Sequence, residues 1–235
     1  MRSRARHYNR HALARLGPIA LVLALLAGTA AALGITQSLK TTKAPITRTK
    51  VAKTFSPTCR CATNVASIRF QLARRDKLTL AIEDARGRTV RVLFTSRRTA
   101  AGLHAFGWSG RGDDGRRLPD GLYRPRVELE DADRVILLPN RIALDTKAPR
   151  VRVTGKPRLA AGGPIVVRYL LSEPARGILA VGGKRVARTY RVRLDTTLRI
   201  PLGTLRAAGA LHGVVTLAAE DLAGNVSKPI VVGRR

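Results

Sequence analysis

Residues 101–131 read AGLHAFGWSGRGDDGRRLPDGLYRPRVELED, and this stretch carries the clearest pattern of strand, turn and strand in the chain. Tyr123, Val127 and Leu129 alternate with charged residues, which is the period of a strand with one buried face. The segment at 110–121 is rich in glycine, aspartate and proline and is interpreted as a long turn, its RGD tripeptide included. Trp108 and Tyr123 flank that turn, and we predict that they anchor a core, because each joins a large apolar body to a polar tip.

The same period of two recurs before this stretch. Turn residues separate the sets, as in ARGR at 85–88 and EDADR at 130–134. Short strands at regular spacing, without a convincing soluble helix, predict an all-β protein built of β-sandwiches. Three further sets of alternating apolar residues each predict a strand with one buried face: Ile68, Phe70 and Leu72, then Leu78, Leu80 and Ile82, then Val90, Val92 and Phe94.

A second module is predicted after DTKAPRV at 145–151, where a proline interrupts the pattern and the pattern then restarts. Seven strands in residues 146–235 match the size of an immunoglobulin-like sandwich. Pro229 predicts an edge position or a bulge for the last strand, since proline lacks a donor for the ladder. In DLAGN, Gly224 and Asn225 are the residues able to take the positive φ of a tight turn. The predicted strands are 151–153, 164–172, 177–181, 184–190, 192–200, 213–221 and 226–232.

The order FSP, SIRFQLA, LTLAIEDARGRTVRVL and then the stretch at 101–131 resembles the FlgD-type Ig-like domain, over about residues 54–145. The second module, 146–235, looks like a generic bacterial Ig-like domain through DTKAPRV and DLAGN. The first resemblance implies an exported, non-enzymatic β-sandwich module. Nothing in the chain looks like the hook-associated region of a flagellar capping protein, so no flagellar role is implied.

The N-terminal part holds the longest apolar run, LGPIALVLALLAGTAAALGIT at 16–36, which as a helix would be about 31 Å long. We predict one transmembrane helix, with the basic tail 1–15 in the cytoplasm and 37–53 as a basic linker outside. The cations on the two sides are equal in number, and the orientation rests on Arg15, which adjoins the span, and on the shortness of the tail. The alternative is a cleaved signal peptide, with a cut near Ala32.

The net charge is +29, and residues 146–235 carry 17 Lys and Arg against four acidic residues. A nucleic-acid partner is disfavoured, because the arginines are spread along alternating segments and aromatic residues make up only 4% of the chain. A basic surface held against an acidic cell-wall polymer, anionic lipid or another envelope protein is the favoured interpretation.

The only two cysteines, Cys59 and Cys61, lie in FSPTCRCATN at 55–64. In the family that the first module resembles, FSP is followed by a turn rich in Asn, Gly and Asp, which TCRCATN replaces. Export permits a disulfide, and a three-residue ring would be a local staple of that turn. Free thiols, an intermolecular link or a metal are the alternatives, although two thiolates lack the further ligands that zinc requires.

No motif for enzyme chemistry is found, so we predict no catalytic, cofactor-binding or metal-binding residues and no cofactor. Asp113, Asp114 and Asp120 lack the regular spacing of a dedicated calcium loop. The favoured function is a membrane-anchored, extracytoplasmic structural or binding protein of the bacterial cell envelope. A secreted soluble adhesin or carrier is the first alternative, and a non-specific nucleic-acid binder is the second.

Overall fold

The computed structural model describes residues 21–30, 44–160 and 162–235. Residues 21–30 form helix α1, and every one of them is exposed. Within the described residues, no helix is long and apolar enough to cross a bilayer. Several predictions for the N-terminal part lie outside the described residues. They are the tail 1–15, the cut near Ala32, the start of the linker and about half of the span 16–36. Ile46–Arg235 forms one unit, which is mostly β-strand and contains two separate hydrophobic cores.

The first sandwich consists of two sheets around one core. One sheet has the order β1-β3-β6, and the other has the order β2-β9-β7-β4-β5, with β8 paired to β7. All of these pairs are antiparallel except β2 with β9. The strands are β1 Ile46–Val51, β2 Thr54–Phe55, β3 Ala66–Leu72, β4 Asp76–Glu83, β5 Thr89–Thr99, β6 Gly102–Trp108, β7 Gly121–Leu129, β8 Arg134–Leu137 and β9 Ile142–Leu144.

Alternation in the sequence becomes alternation of burial in this sandwich. In β3, Ile68 and Phe70 are fully buried, whereas Arg69 between them is exposed. The predicted inward sets of β4 and β7 are buried against them in the same core. Each fully buried aliphatic or phenylalanine side chain contributes roughly 1.5–3 kcal/mol relative to an exposed one, so these strands supply the main driving force for the first sandwich.

The predicted basic linker 37–53 is wrong for its last part, because Ile46–Val51 is strand β1, paired antiparallel with β3. Val51 is buried, and Ile46 packs against the same core. Two apolar residues are therefore enough to hold the strand, while Arg48 and Lys50 remain exposed to solvent. The register shifts between Thr47 and Lys50, and this bulge conceals the period of two in the sequence.

The second sandwich begins with β10 and ends with β15. β10 and β13 pair with the first part of β11, and β12 and β14 pair with its second part. β15 pairs with β14 at the end of the sheet order and starts directly after Pro229, the edge position that the proline predicts. The elements are β10 Val151–Val153, β11 Ile165–Val181, β12 Lys184–Arg188, β13 Arg193–Ile200, helix α2 Leu202–Ala207, β14 Val214–Glu220 and β15 Ile230–Arg234.

β11 joins two predicted strands, 164–172 and 177–181, into one that runs through Pro174. Its pairing with β13 is irregular between Leu170 and Ala175, and beyond this point the strand changes partners. A strand that moves from one sheet to the other through such an irregularity closes a corner of a sandwich. The short helix α2, which the sequence did not predict, contributes only Leu205 as a fully buried side chain.

Tyr169 and Gly177 face each other from the two parts of β11. A methyl group at Gly177 would collide with the hydroxyl and ring of Tyr169, which is 1% exposed. Gly177→Ala should therefore lower the free energy of unfolding by about 1–3 kcal/mol. The control is Gly203→Ala in α2, where no atom lies within 4 Å of the added methyl and a gain of about 0.5–1 kcal/mol is expected.

The measurement is urea unfolding of the full chain in detergent, followed by circular dichroism. Equal effects of the two alanines would show that Tyr169 does not fill the space at Gly177.

Candidate functional site

The disulfide loop, residues 59–63, contacts a turn of the second sandwich. Cys59 and Cys61 form a disulfide, with their Cα atoms 5.2 Å apart. The Thr63 hydroxyl donates a hydrogen bond of 2.7 Å to the carbonyl oxygen of Ala223. A Cβ added at Gly224 would lie 3.2 Å from the Cys59 sulfur and would collide with the Cys61 sulfur. The loop and the turn are thus packed closely enough that only glycine fits at position 224.

The turn, residues 221–225, is organised by Asp221, which is 4% exposed. Its carboxylate accepts hydrogen bonds from the backbone N–H groups of Gly224 at 2.7 Å and Asn225 at 2.9 Å, and from the Asn225 side-chain amide at 2.8 Å. Gly224 has a φ of +95°, whereas Asn225 does not take a positive φ. Asn225 contributes its side chain instead, which is a role that the turn pattern alone did not predict.

Asn225 also connects the turn to the end of the first sandwich. Its side-chain amide donates a hydrogen bond of 3.0 Å to the carbonyl oxygen of Asp145. The N–H of Asp145 donates in turn to the carbonyl oxygen of Phe55, a fully buried core residue. The predicted module boundary near Asp145 therefore falls at a hydrogen-bonded contact between the two cores, which we call the junction.

Three carboxylates meet at the junction. Oxygens of Asp145, Glu173 and Asp221 lie within 4.8 Å of one another. Burial raises the pKa of Glu173 above its ordinary value of 4.5, and the charges of Asp145 and Asp221 raise it further. None of the five ion pairs in the described part of the chain involves these three. Carboxylate oxygens are ligands for hard cations, so these residues are the ones that could hold such an ion.

The sequence analysis did not find this group. Its members lie far apart in the chain, one in DTKAPRV, one within β11 and one in DLAGN. The two motifs that led to the resemblance of the second module carry two of the three residues. Their meeting, however, depends on the contact between the sandwiches.

Trp108 and Tyr123, the predicted core anchors, lie side by side in the first core with ring centroids 5.0 Å apart. The Trp108 indole N–H donates to the carbonyl oxygen of Arg111 at 3.1 Å, and the Tyr123 hydroxyl donates to that of Pro119 at 2.7 Å. Burial raises the pKa of Tyr123, with added contributions from Asp84 and Asp120. Both polar tips thus bind the long turn between the two aromatic residues.

The aspartates of the long turn act separately. Asp113 accepts from the N–H of Val92, Asp114 from that of Arg116, and Asp120 from that of Thr146. Arg111 donates to the carbonyl oxygen of Gly115 at 2.7 Å. Of the RGD residues, Arg111 and Gly112 thus make hydrogen bonds within the turn, and Asp113 connects the turn to β5.

The described unit is an all-β protein of two β-sandwiches, the first of which is Ig-like. Residues 56–133 match the family model of the FlgD Ig-like domain, and this confirms the resemblance of the first module. No curated protein matches the chain.

Several solved structures show low similarity. The human OSCAR ligand-binding domain has 11% identity and a TM-score of 0.37, with 79% of this chain and 95% of that chain covered. The biofilm associated protein BSP domain has 15% identity and a TM-score of 0.30, with 80% of this chain and 30% of that chain covered. The Salmonella enterica SafA pilin in complex with the SafB chaperone has 14% identity and a TM-score of 0.24, with 80% of this chain and 96% of that chain covered. Similarity at this level says nothing about function.

Gly224→Ala tests the contact between the disulfide loop and the turn. It should lower the free energy of unfolding by about 2–4 kcal/mol, since the strain of a positive φ adds to the collision with the Cys61 sulfur. The matched control is Gly87→Ala, where φ is +77° but no atom lies within 4 Å, so that about 1–2 kcal/mol of backbone strain is expected. Urea unfolding of the full chain measures both, and equal losses would contradict the packing of the loop on Gly224.

The raised pKa of Glu173 predicts a pH dependence of stability. The folded protein holds this proton more tightly than the unfolded chain, so the free energy of unfolding falls as pH rises from 4.5 through the folded-state pKa. Glu173→Gln removes the ionisation. The variant should be more stable than the wild type at about pH 7 and equal to it at about pH 4.

Urea unfolding at the two pH values checks this expectation. The control is Asp195→Asn, which removes an exposed carboxylate of the second sandwich outside the junction. Its change in the free energy of unfolding shows how much the removal of one negative charge contributes by itself. A stabilisation by Glu173→Gln that is the same at both pH values would refute the ionisation of Glu173 as its cause.

Proposed function

We propose that this protein is a single-pass protein of the bacterial cell envelope, with its N terminus in the cytoplasm and its two Ig-like sandwiches outside. The sandwiches act as a non-enzymatic structural or binding element. The observation that carries the proposal is the disulfide between Cys59 and Cys61 at the junction. Disulfides persist in oxidising compartments and are rare in the cytosol, so a disulfide in a structural contact supports an extracytoplasmic place.

The apolar helix supports the membrane anchor. Leu21, Leu23 and Leu25 are each 60% exposed or more, and all other residues of α1 are exposed as well. A helix that shows apolar side chains on every side to water is unfavourable, whereas the same helix in a lipid environment is favourable. The proposal therefore places α1 within the span 16–36.

The junction supports a structural role. Thr63 and Asn225 supply hydrogen bonds between the first and the second sandwich, and the disulfide packs on Gly224. Two modules held by such contacts present their surfaces in a constant relation to each other. This suits a protein that binds an extended partner outside the membrane, and the proposal requires no catalytic step and no cofactor.

Protease treatment of spheroplasts tests the topology, with one epitope tag at each end of the chain. The C-terminal tag should be digested in intact spheroplasts, and the N-terminal tag should be digested only after lysis. The protein should stay in the membrane pellet after an alkaline wash, and its intact mass should include the span. A protected C-terminal tag would refute the extracytoplasmic placement.

Leu26→Arg examines the anchor itself. A charge near the centre of a span costs roughly 2.5–3.5 kcal/mol, so the variant should leave the membrane pellet, whereas the control Leu26→Phe should stay. A mature chain that starts near Leu33 and is found in the medium would favour the secreted alternative over the anchor.

A further inference from the structure

The outer face of strands β10, β11 and β13 carries a set of exposed arginines. Arg152 on β10 lies opposite Leu170, and Leu170 lies opposite Asp195 on β13. One row further, Arg168 lies opposite Thr197. In the third row, Val166 lies between Arg158 and Arg199. All four arginines are exposed, and we call this surface the arginine face.

Three of these arginines form a diagonal across the sheet. Arg152 on β10, Arg168 on β11 and Arg199 on β13 occupy successive strands and successive rows. Diagonal neighbours on one face of a sheet are about 7–8 Å apart. The diagonal thus presents three positive charges in a line at a regular interval. Arg158 lies off this line, across Val166 from Arg199 and diagonal to Arg168.

These guanidinium groups have no partners within the described residues. None of the four takes part in an ion pair or a side-chain hydrogen bond there. On the first sandwich, by contrast, Arg126 lies 3.5 Å from Glu83 and 3.1 Å from Glu128, and Arg88 lies 2.7 Å from Asp84. The one carboxylate on the arginine face, Asp195, is a diagonal neighbour of Arg168 but forms no ion pair with it, and the four arginines outnumber it. The charge of this face is therefore left unbalanced by the fold.

We propose that the arginine face binds a linear phosphodiester polymer of the cell envelope, along the diagonal from Arg152 through Arg168 to Arg199. This inference rests on the extracytoplasmic placement proposed above and names the class of partner. Guanidinium groups bind phosphate with two parallel hydrogen bonds, which an ammonium group does not do. A phosphodiester chain carries one charge in each repeat of its backbone, and this matches a line of arginines on successive strands of the sheet.

The composition of the face argues against single-stranded nucleic acid as the partner. Its positions between the arginines are Leu170, Thr197 and Val166, and Tyr169 on β11 is buried beneath it. Single-strand binders stack bases on exposed aromatic rings, which these positions do not offer. Charge and spacing remain as the means of recognition.

The test uses the purified full chain in detergent and an immobilised synthetic oligomer of glycerol phosphate. The face variant is Arg152→Gln, Arg168→Gln and Arg199→Gln combined. The charge-matched control combines Arg74→Gln, Arg86→Gln and Arg134→Gln, three exposed arginines of the first sandwich without ion pairs in the described part of the chain. At about 0.15 M salt, the face variant should bind about 30-fold more weakly and the control within about threefold of the wild type.

Salt dependence gives a second readout. The loss of three phosphate contacts should lower the slope of log affinity against log salt by about 2 for the face variant, with little change for the control. Equal losses for the two triple variants would mean that net charge alone binds the polymer, and this would overturn the proposal. So would an unchanged affinity of the face variant.

Parallel arms use duplex DNA and vesicles that contain an anionic phospholipid. Binding to either probe as tight as to the glycerol phosphate oligomer, and lost equally in the face variant, would refute recognition of a linear envelope polymer. Circular dichroism checks the fold of each variant. If the triple is misfolded, Arg168→Gln replaces it and is compared with the single control Arg86→Gln: the first should weaken binding about threefold and the second should leave it unchanged, and equal effects would overturn the proposal. These assays use purified protein, so they report on the face, whereas the spheroplast assay reports on the compartment.

Discussion

The buried carboxylate of Asp221 is the group on which the junction depends. It accepts three hydrogen bonds from Gly224 and Asn225 while it is 4% exposed. An unsatisfied buried donor or acceptor costs about 1–3 kcal/mol, so this carboxylate holds the turn in one conformation. In that conformation the Ala223 carbonyl faces Thr63, and the Asn225 amide faces Asp145. The hydrogen bonds between the two sandwiches thus depend on one side chain of the second sandwich, Asp221.

Charge is distributed unequally over the molecule. In a chain of net charge +29, three of the acidic residues meet at the junction, where burial and mutual repulsion raise the pKa of Glu173. Their concentration there leaves few carboxylates for the outer surface of the second sandwich. The first sandwich pairs several of its arginines with acids, but the arginine face of the second does not. Both modules are β-sandwiches, but within the described residues only the second presents a face of unpaired arginines that can attract an anionic partner.

Much of the first sandwich could be predicted from its sequence, and the exceptions have physical causes. β3, β7 and most of β4 alternate, because one face of each is buried in the core, although Ala81 in β4 is buried as well. β1 falls within the predicted linker, since a bulge and several polar residues conceal its two inward side chains. β6 was not predicted as a strand. It contains two glycines, and its outward positions are Leu103, Ala105 and Gly107, so polar and apolar residues do not alternate along it.

In the second sandwich, the predicted segments coincide with the observed strands except for the last, predicted at 226–232 and observed at Ile230–Arg234, and for the division at Pro174, where one long strand continues. A proline without a donor is tolerated there because the strand changes partners at that point. For the candidate site, the sequence indicated the disulfide and the turn as separate features. It could not indicate that they touch, because nothing local in either motif refers to the other.

Local sequence is enough to predict the all-β class, the inward faces of most strands, the FlgD Ig-like domain and the turn at Gly224. These features follow from local periodicity and local backbone conformation, which neighbouring residues set. Three features become visible only in the folded chain: the meeting of Asp145, Glu173 and Asp221, the packing of the disulfide on Gly224, and the diagonal of Arg152, Arg168 and Arg199. Each depends on the register or docking of segments far apart in the chain, and a shift of one residue in a strand would send its side chains to the opposite face.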